Sequence, residues 1–155
     1  AASPRTLRPT HRRRPVILVD TGVLYAAADD GDVLHAAATD WLAGVSDELI
    51  VPTPIAVETA WLLDDRLGPE HEANFLRSLN RKEMTRVDLT DDDWQRVEDL
   101  VVQYSDLQLG TADASIVVIA ERLGVEVVAT FNDRDFRVVR PRHIDAFTLV
   151  PRPLS

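Results

Sequence analysis

The chain has 155 residues, of which 45% are hydrophobic and only six are glycine, enough for one globular domain with a substantial core. The absence of cysteine excludes disulfides, zinc–thiolate centres and cysteine nucleophiles and agrees with a reducing, cytoplasmic setting, and no two of the four histidines fall at a zinc-ligand spacing. A formal net charge of -9 argues against nonspecific polyanion binding over the whole surface.

Charge is unevenly spread. Residues 1–14, AASPRTLRPTHRRR, carry five arginines and no acid, so the remainder is more acidic than the total implies. This leader has no apolar stretch and is neither a secretory signal nor a membrane span. It reads as a disordered basic arm, with nucleic-acid contact as the alternative, ahead of a single domain over residues 15–155. One lysine, Lys82, stands beside sixteen arginines, which leaves little room for lysine chemistry elsewhere.

PVILVD (15–20) is a β-branched run suited to a strand covered on both faces. It ends on Asp20, and the next residue, Thr21, is a candidate cap for a helix GVLYAAA. DDGD breaks the chain before a second helix, VLHAAATDWLAGV, and ELIVP (48–52) is the next strand. In TPIAVETAWLLDDRL (53–67), Thr53 is the expected N-cap and Pro54 the first helical residue, with Gly68 and Pro69 closing the helix. PEHEANFLRSLN supplies another helix and MTRVDL another strand. Thr90 followed by Asp93 approaches a capping box for the helix over 90–104, so the acids there have a structural explanation. TADASIVVIAERLG is a helix ended by Gly124, VEVVAT a buried strand, and FNDRDF a loop at its carboxyl end.

Strands alternating with helices predict an α/β fold with a mostly parallel central sheet and helices on both faces. Ligands of such sheets gather at the carboxyl ends of the strands. Asp20, Glu58, Asp113 and the group Asn132, Asp133 and Asp135 can all reach that end. Carboxylates gathered without basic partners repel one another and call for a divalent cation, and hard oxygen donors favour Mg²⁺ or Mn²⁺. Each acid also has a plainer explanation. Asp20 can cap a helix, Glu58 can complement a helix dipole, Asp113 can cap or charge a helix start, and Asp135 can pair with a nearby arginine. The signal lies in the set.

VDTGVLYA, VETAWLL, LGTADASIVVIAERLG and VVATFNDRDFRVV together resemble the PIN-domain ribonucleases, in particular the VapC toxins of bacterial toxin–antitoxin pairs, over roughly residues 15–150. The resemblance implies a PIN-like three-layer sandwich and a metal-dependent endoribonuclease that cuts structured RNA, such as tRNA or rRNA, to leave a 5′-phosphate and a 3′-hydroxyl. It also implies a homodimer and a VapB-like antitoxin that occupies the active groove. The family's first three acids fall on Asp20, Glu58 and Asp113, with Thr21 and Thr111 as supporting hydroxyls. The fourth column holds Asn132, as in some relatives, whereas others read ATLDRRDF; Asp133 or Asp135 is the candidate to supply the missing charge.

On this reading Asp20, Glu58 and Asp113 hold the ion that activates water. Arg134 and Arg137, with Arg140 and Arg142, are weak candidates for phosphate contact, since each also reads as a surface arginine. Trp41, Trp61 and Trp94 read as core residues, or alternatively as a dimer or antitoxin groove, and Trp61 lies within one helical turn of Glu58. A haloacid-dehalogenase phosphatase is disfavoured because Gly22 stands where its second Asp is needed, and a receiver domain because Lys82 is badly placed. A PIN-like module that binds RNA or protein without cutting is the remaining alternative, kept open by Asn132.

Overall fold

The computed structural model describes residues 15–152, so the basic arm read over residues 1–14 lies outside the described residues. Five parallel strands, β1 Val16–Val19, β2 Glu48–Pro52, β3 Thr85–Val87, β4 Val127–Ala129 and β5 Thr148–Val150, form one sheet in the order β3-β2-β1-β4-β5. The helices between them are α1 Thr21–Ala28, α2 His35–Gly44, α3 Thr53–Leu67, α4 Pro69–Asn80, α5 Asp91–Gln103, α6 Thr111–Leu123 and α7 Asp133–Val138. Strand side chains alternate between faces, yet the consecutive residues Ile17, Leu18 and Val19 of β1 are all buried, so both faces of the sheet are covered. The expected α/β sandwich is therefore present.

The strand order fixes where a site can form. The chain builds leftward from β1 to β3, then crosses to β4 on the other side of β1. Connections leave the β1 and β4 ends in opposite directions, which opens a crevice there. Asp20 follows β1 directly, and Thr130 to Asn132 follow β4.

Several local expectations are corrected. Asp20, not Thr21, caps α1: its Oδ1 accepts from the Thr21 N–H at 2.8 Å, and Thr21 is the first helical residue. In α3 the cap position is Pro52, with Thr53 and Pro54 already helical. Helix α2 starts at His35 because Asp32 Oδ1 accepts the Leu34 N–H and holds that segment in a turn. FNDRDF is not a loop throughout, since Asp133 opens α7, a helix of 6 residues anchored by the fully buried Phe136. β5, with 3 residues, was not anticipated. Both elements are too short to display a periodic pattern.

The capping box at α5 is as expected, with Thr90 Oγ1 accepting from the Asp93 N–H at 3.1 Å and Asp93 Oδ2 accepting from the Thr90 N–H at 3.0 Å. Asp93 also accepts from Arg122 Nε at 2.9 Å, which ties α5 to α6. Among the tryptophans only Trp41 packs against the core; Trp61 and Trp94 are exposed.

Phe136 meets Phe147 edge-on, with ring centroids 6.3 Å apart, and so fixes α7 to the β4–β5 edge. Phe136→Ala is expected to cost about 3–5 kcal/mol of unfolding free energy, as buried phenylalanine truncations do. Denaturant melts of the two proteins check this; a loss below about 1 kcal/mol would mean that α7 is not held by its aromatic anchor.

Candidate active site

Asp20 is 5% exposed, at the end of the central strand, and each of its oxygens has a partner. Oδ1 accepts from the Thr21 N–H at 2.8 Å and Oδ2 accepts from Thr130 Oγ1 at 2.8 Å. Its own N–H donates to the Ala129 carbonyl at 2.9 Å, which extends the β1–β4 ladder by one residue and fixes the backbone beneath the carboxylate. Burial pushes the Asp20 carboxyl above its ordinary range; the Thr130 and Thr21 hydrogen bonds oppose this, and the charges of Glu58 and Asp135 add to it.

Glu58 projects from α3 and accepts from Thr21 Oγ1 at 3.2 Å, so the hydroxyl expected as a cap instead links the first and second acids. Asp113 sits half-buried in the first turn of α6. That helix starts after Gly110 with no side-chain cap, so neither Thr111 nor Asp113 is consumed in capping. Burial raises the Asp113 carboxyl to about 7, with further upward pushes from Asp20, Glu58 and Asp135. None of these contributions comes from a basic side chain.

The residues around position 132 are now separable. Asp135 lies within the field of both Asp20 and Asp113. Asn132 donates through Nδ2 to Asp135 Oδ2 at 2.8 Å and is itself held by Thr130, whose Oγ1 accepts from the Asn132 N–H at 2.9 Å. The arginine partner considered for Asp135 belongs instead to Asp133, which pairs with Arg137 at 3.1 Å. Arg134 is exposed, and Arg140 donates to the carbonyls of Arg137 and Val139. Arg142 lies beside Glu121, two helical turns along α6 from Asp113.

A groove of about 830 Å³ opens beside Glu58 and is lined by Val57, Trp61, Leu89, Trp94 and Thr111. Among the described residues, no group of three or more His, Asp or Glu side chains forms a ready-made metal cradle. The donor chemistry nonetheless suits a hard divalent cation: four carboxylates share one field, a buried one and a half-buried one both have raised pKa values, and no basic side chain among the described residues offsets them.

Thr130 was not among the expected site residues. It is 1% exposed and bridges the first acid to the Asn132 loop, accepting one hydrogen bond and donating another. Its sequence signal is a hydroxyl at the end of a buried apolar run, where the strand leaves the sheet beside β1. Thr130→Val keeps the shape but strands an Asp20 oxygen and the Asn132 N–H, which should cost about 2–4 kcal/mol of stability. Asp20 then loses its fixed rotamer, and the chemistry of the site should slow roughly 10–100-fold. Melting curves and initial rates measured together check this, and Thr130→Ser should restore most of both.

Carboxylates from four separate segments share one field at the switch point of the sheet. Residues 17–140 match the PIN domain family, and the chain belongs to it. It is similar to ribonuclease VapC26 of Mycobacterium tuberculosis, with 28% identity over 135 residues that cover 87% of this chain and 100% of that protein. Its fold is similar to that of Mycobacterium tuberculosis VapC20, a toxin that cleaves the sarcin-ricin loop, with a TM-score of 0.69 and 20% identity over 72% of this chain and 86% of that one. It is also similar to a chain of VapBC2 from Rickettsia felis, solved bound to a DNA fragment from its promoter, with a TM-score of 0.62 and 14% identity over 88% and 99% of the two chains.

Proposed function

We propose that this PIN-domain protein is a VapC-like toxin, a metal-dependent endoribonuclease that cuts structured RNA and is held in check by a VapB-like antitoxin. The observation that carries this reading is the convergence of Asp20, Glu58, Asp113 and Asp135 with no basic partner among the described residues, and with the Asp113 carboxyl raised to about 7. Asp20, Glu58 and Asp113 would hold Mg²⁺ or Mn²⁺, with Asp135 supplying the charge absent from Asn132. When bound, such an ion lowers the pKa of a water and offsets charge on the phosphodiester.

The chain's own residues set the geometry for an in-line attack. The Thr21 N–H and the Thr130 hydroxyl lock both oxygens of Asp20, while the Thr21 hydroxyl directs Glu58 toward it. With its carboxyl raised to about 7, Asp113 would have to give up a proton to hold such a cation, and affinity for it would rise with pH through the neutral range. Cleavage of total RNA by wild type, Asp20→Asn and Asp113→Asn in Mg²⁺ or Mn²⁺ tests the reading. Equal cutting by all three would sink it.

The groove beside Glu58 supports the antitoxin part of the reading. Exposed Trp61 and Trp94 offer apolar contact, and Glu58 offers negative charge to an arginine or lysine of the incoming segment, whereas Asp88 is already paired with Arg86. A homodimer belongs to the same reading, and Leu76 of α4 is an exposed apolar residue outside the groove beside Glu58 that a second copy could cover; sedimentation equilibrium tests it. No helix among the described residues is long and apolar enough to cross a membrane. An RNA substrate and a cysteine-free chain favour action in the cytoplasm.

A further inference from the structure

A second cavity, of about 500 Å³, shares no lining residue with the groove beside Glu58, and the nuclease reading leaves it unused. Its walls include the aromatic side chains of Trp41 from α2 and Phe131 from the turn after β4, both half-buried and packed against the core. Asp40, Asp133 and Arg152 supply its charges. Asp133 is engaged by Arg137 at 3.1 Å, whereas Asp40 and Arg152 enter no ion pair among the described residues. Thr130 lines the cavity and donates to Asp20, so a single residue separates the cavity from the first acid of the carboxylate cluster.

Aromatic walls accept the face of any base, because stacking is indifferent to sequence. The charged groups are selective. A carboxylate accepts from two adjacent N–H donors at once, and among the four RNA bases guanine alone presents them, at N1 and N2. An arginine donates to the other edge of the same base, at O6 and N7. Adenine, with an acceptor at N1, would face Asp40 with like polarity; uracil presents one ring donor and cytosine one amino group.

We propose that this cavity is a guanine subsite, in which Trp41 and Phe131 receive the base of an unpaired guanosine and Asp40 reads its N1–H and N2–H edge, with Arg152 serving the O6 and N7 edge. Because Thr130 both lines the cavity and bonds Asp20, a base held there would sit one residue away from the first acid, on a nucleotide flanking the phosphodiester being cut. The inference rests on the RNA-cleaving reading and names the feature of the RNA that this site selects.

The test separates the two. GMP, AMP, CMP and UMP are titrated separately into the full chain carrying Asp20→Asn, and the Trp41 indole N–H, assigned with Trp41→Phe, is followed by NMR. GMP should shift that resonance with an affinity at least tenfold above the other three, and Asp40→Asn should remove the preference by tenfold or more. No shift up to about 10 mM, equal shifts with all four, or an unchanged preference in Asp40→Asn would overturn the subsite. So would a resonance that moves with protein concentration instead, which would mark the face as a contact between copies of the chain. In parallel, the 5′-phosphate ends released from RNA by the wild-type background should cluster beside guanosine and lose that bias in Asp40→Asn. A GMP response in a chain that cuts no RNA would overturn the nuclease reading alone, and cutting without a GMP response would overturn the subsite alone.

Discussion

Asp113→Asn should reduce RNA cleavage by about 10³-fold or more, equivalent to roughly 4 kcal/mol of barrier, while making the metal-free protein more stable. The two effects have one origin. The Asp113 carboxyl rises from its ordinary 3.8 to about 7 because burial, then Asp20, Glu58 and Asp135, oppose its ionisation. Between those values the folded chain holds more protons than the unfolded chain, so this group makes stability fall as pH increases from about 4 to about 7. The raised pKa of Asp20 contributes with the same sign. An amide at position 113 cannot ionise, and the variant should gain about 1–2 kcal/mol at neutral pH after allowance for solvent screening. Thermal melts in chelator at pH 5 and pH 7.5 measure it: the wild type should lose more stability than the variant across that interval. If the two proteins keep the same difference at both pH values, the carboxylates do not share a field.

Trp61→Ala should separate restraint from catalysis. The side chain is 62% exposed on α3, so truncation removes little core contact, and the fold should stay within about 0.5 kcal/mol of wild type. Its indole nevertheless lines the groove beside Glu58, where a large aromatic residue is the kind of anchor that dominates an interface. Affinity for an antitoxin should fall by about 2 kcal/mol or more, roughly 30-fold, with RNA cleavage by the free protein retained. Calorimetric titration with the antitoxin and a cleavage assay on the same preparation give both numbers. Unchanged affinity would move the contact away from this groove, and a matched loss of cleavage would show that the indole serves the RNA instead.

Much of the architecture was legible because its elements follow simple periodic rules. VILV and ELIVP announce buried strands by continuous apolar character, and α6 is readable from its length and its terminal Gly124. The short elements α7 and β5 escaped because they are defined by tertiary contact, through Phe136 and pairing with β4, more than by their own pattern. Asp20 could be placed from a strand end and Glu58 and Asp113 from helix starts, and these three share one field with Asp135. Which of the residues near 132 joins them was not inferable, because the answer depends on one turn of helix that aims Asp135 at Asn132 and leaves Asp133 to Arg137. Thr130 illustrates the same limit: a hydroxyl ending an apolar run becomes informative only once β1 and β4 are known to be neighbours.

The two outer strands, β3 and β5, are each 3 residues long. A rim so brief offers few unpaired amide and carbonyl groups for another chain to extend, which protects against edge-to-edge aggregation. It also narrows how a binding partner can engage this protein. Recruitment by adding a strand would gain little from such rims, so a regulator must grip side chains on the helical flanks, where amino-acid differences between related regulators are read directly. Selectivity for that regulator would then be written in indole and carboxylate contacts, not in backbone pairing that any extended peptide can imitate.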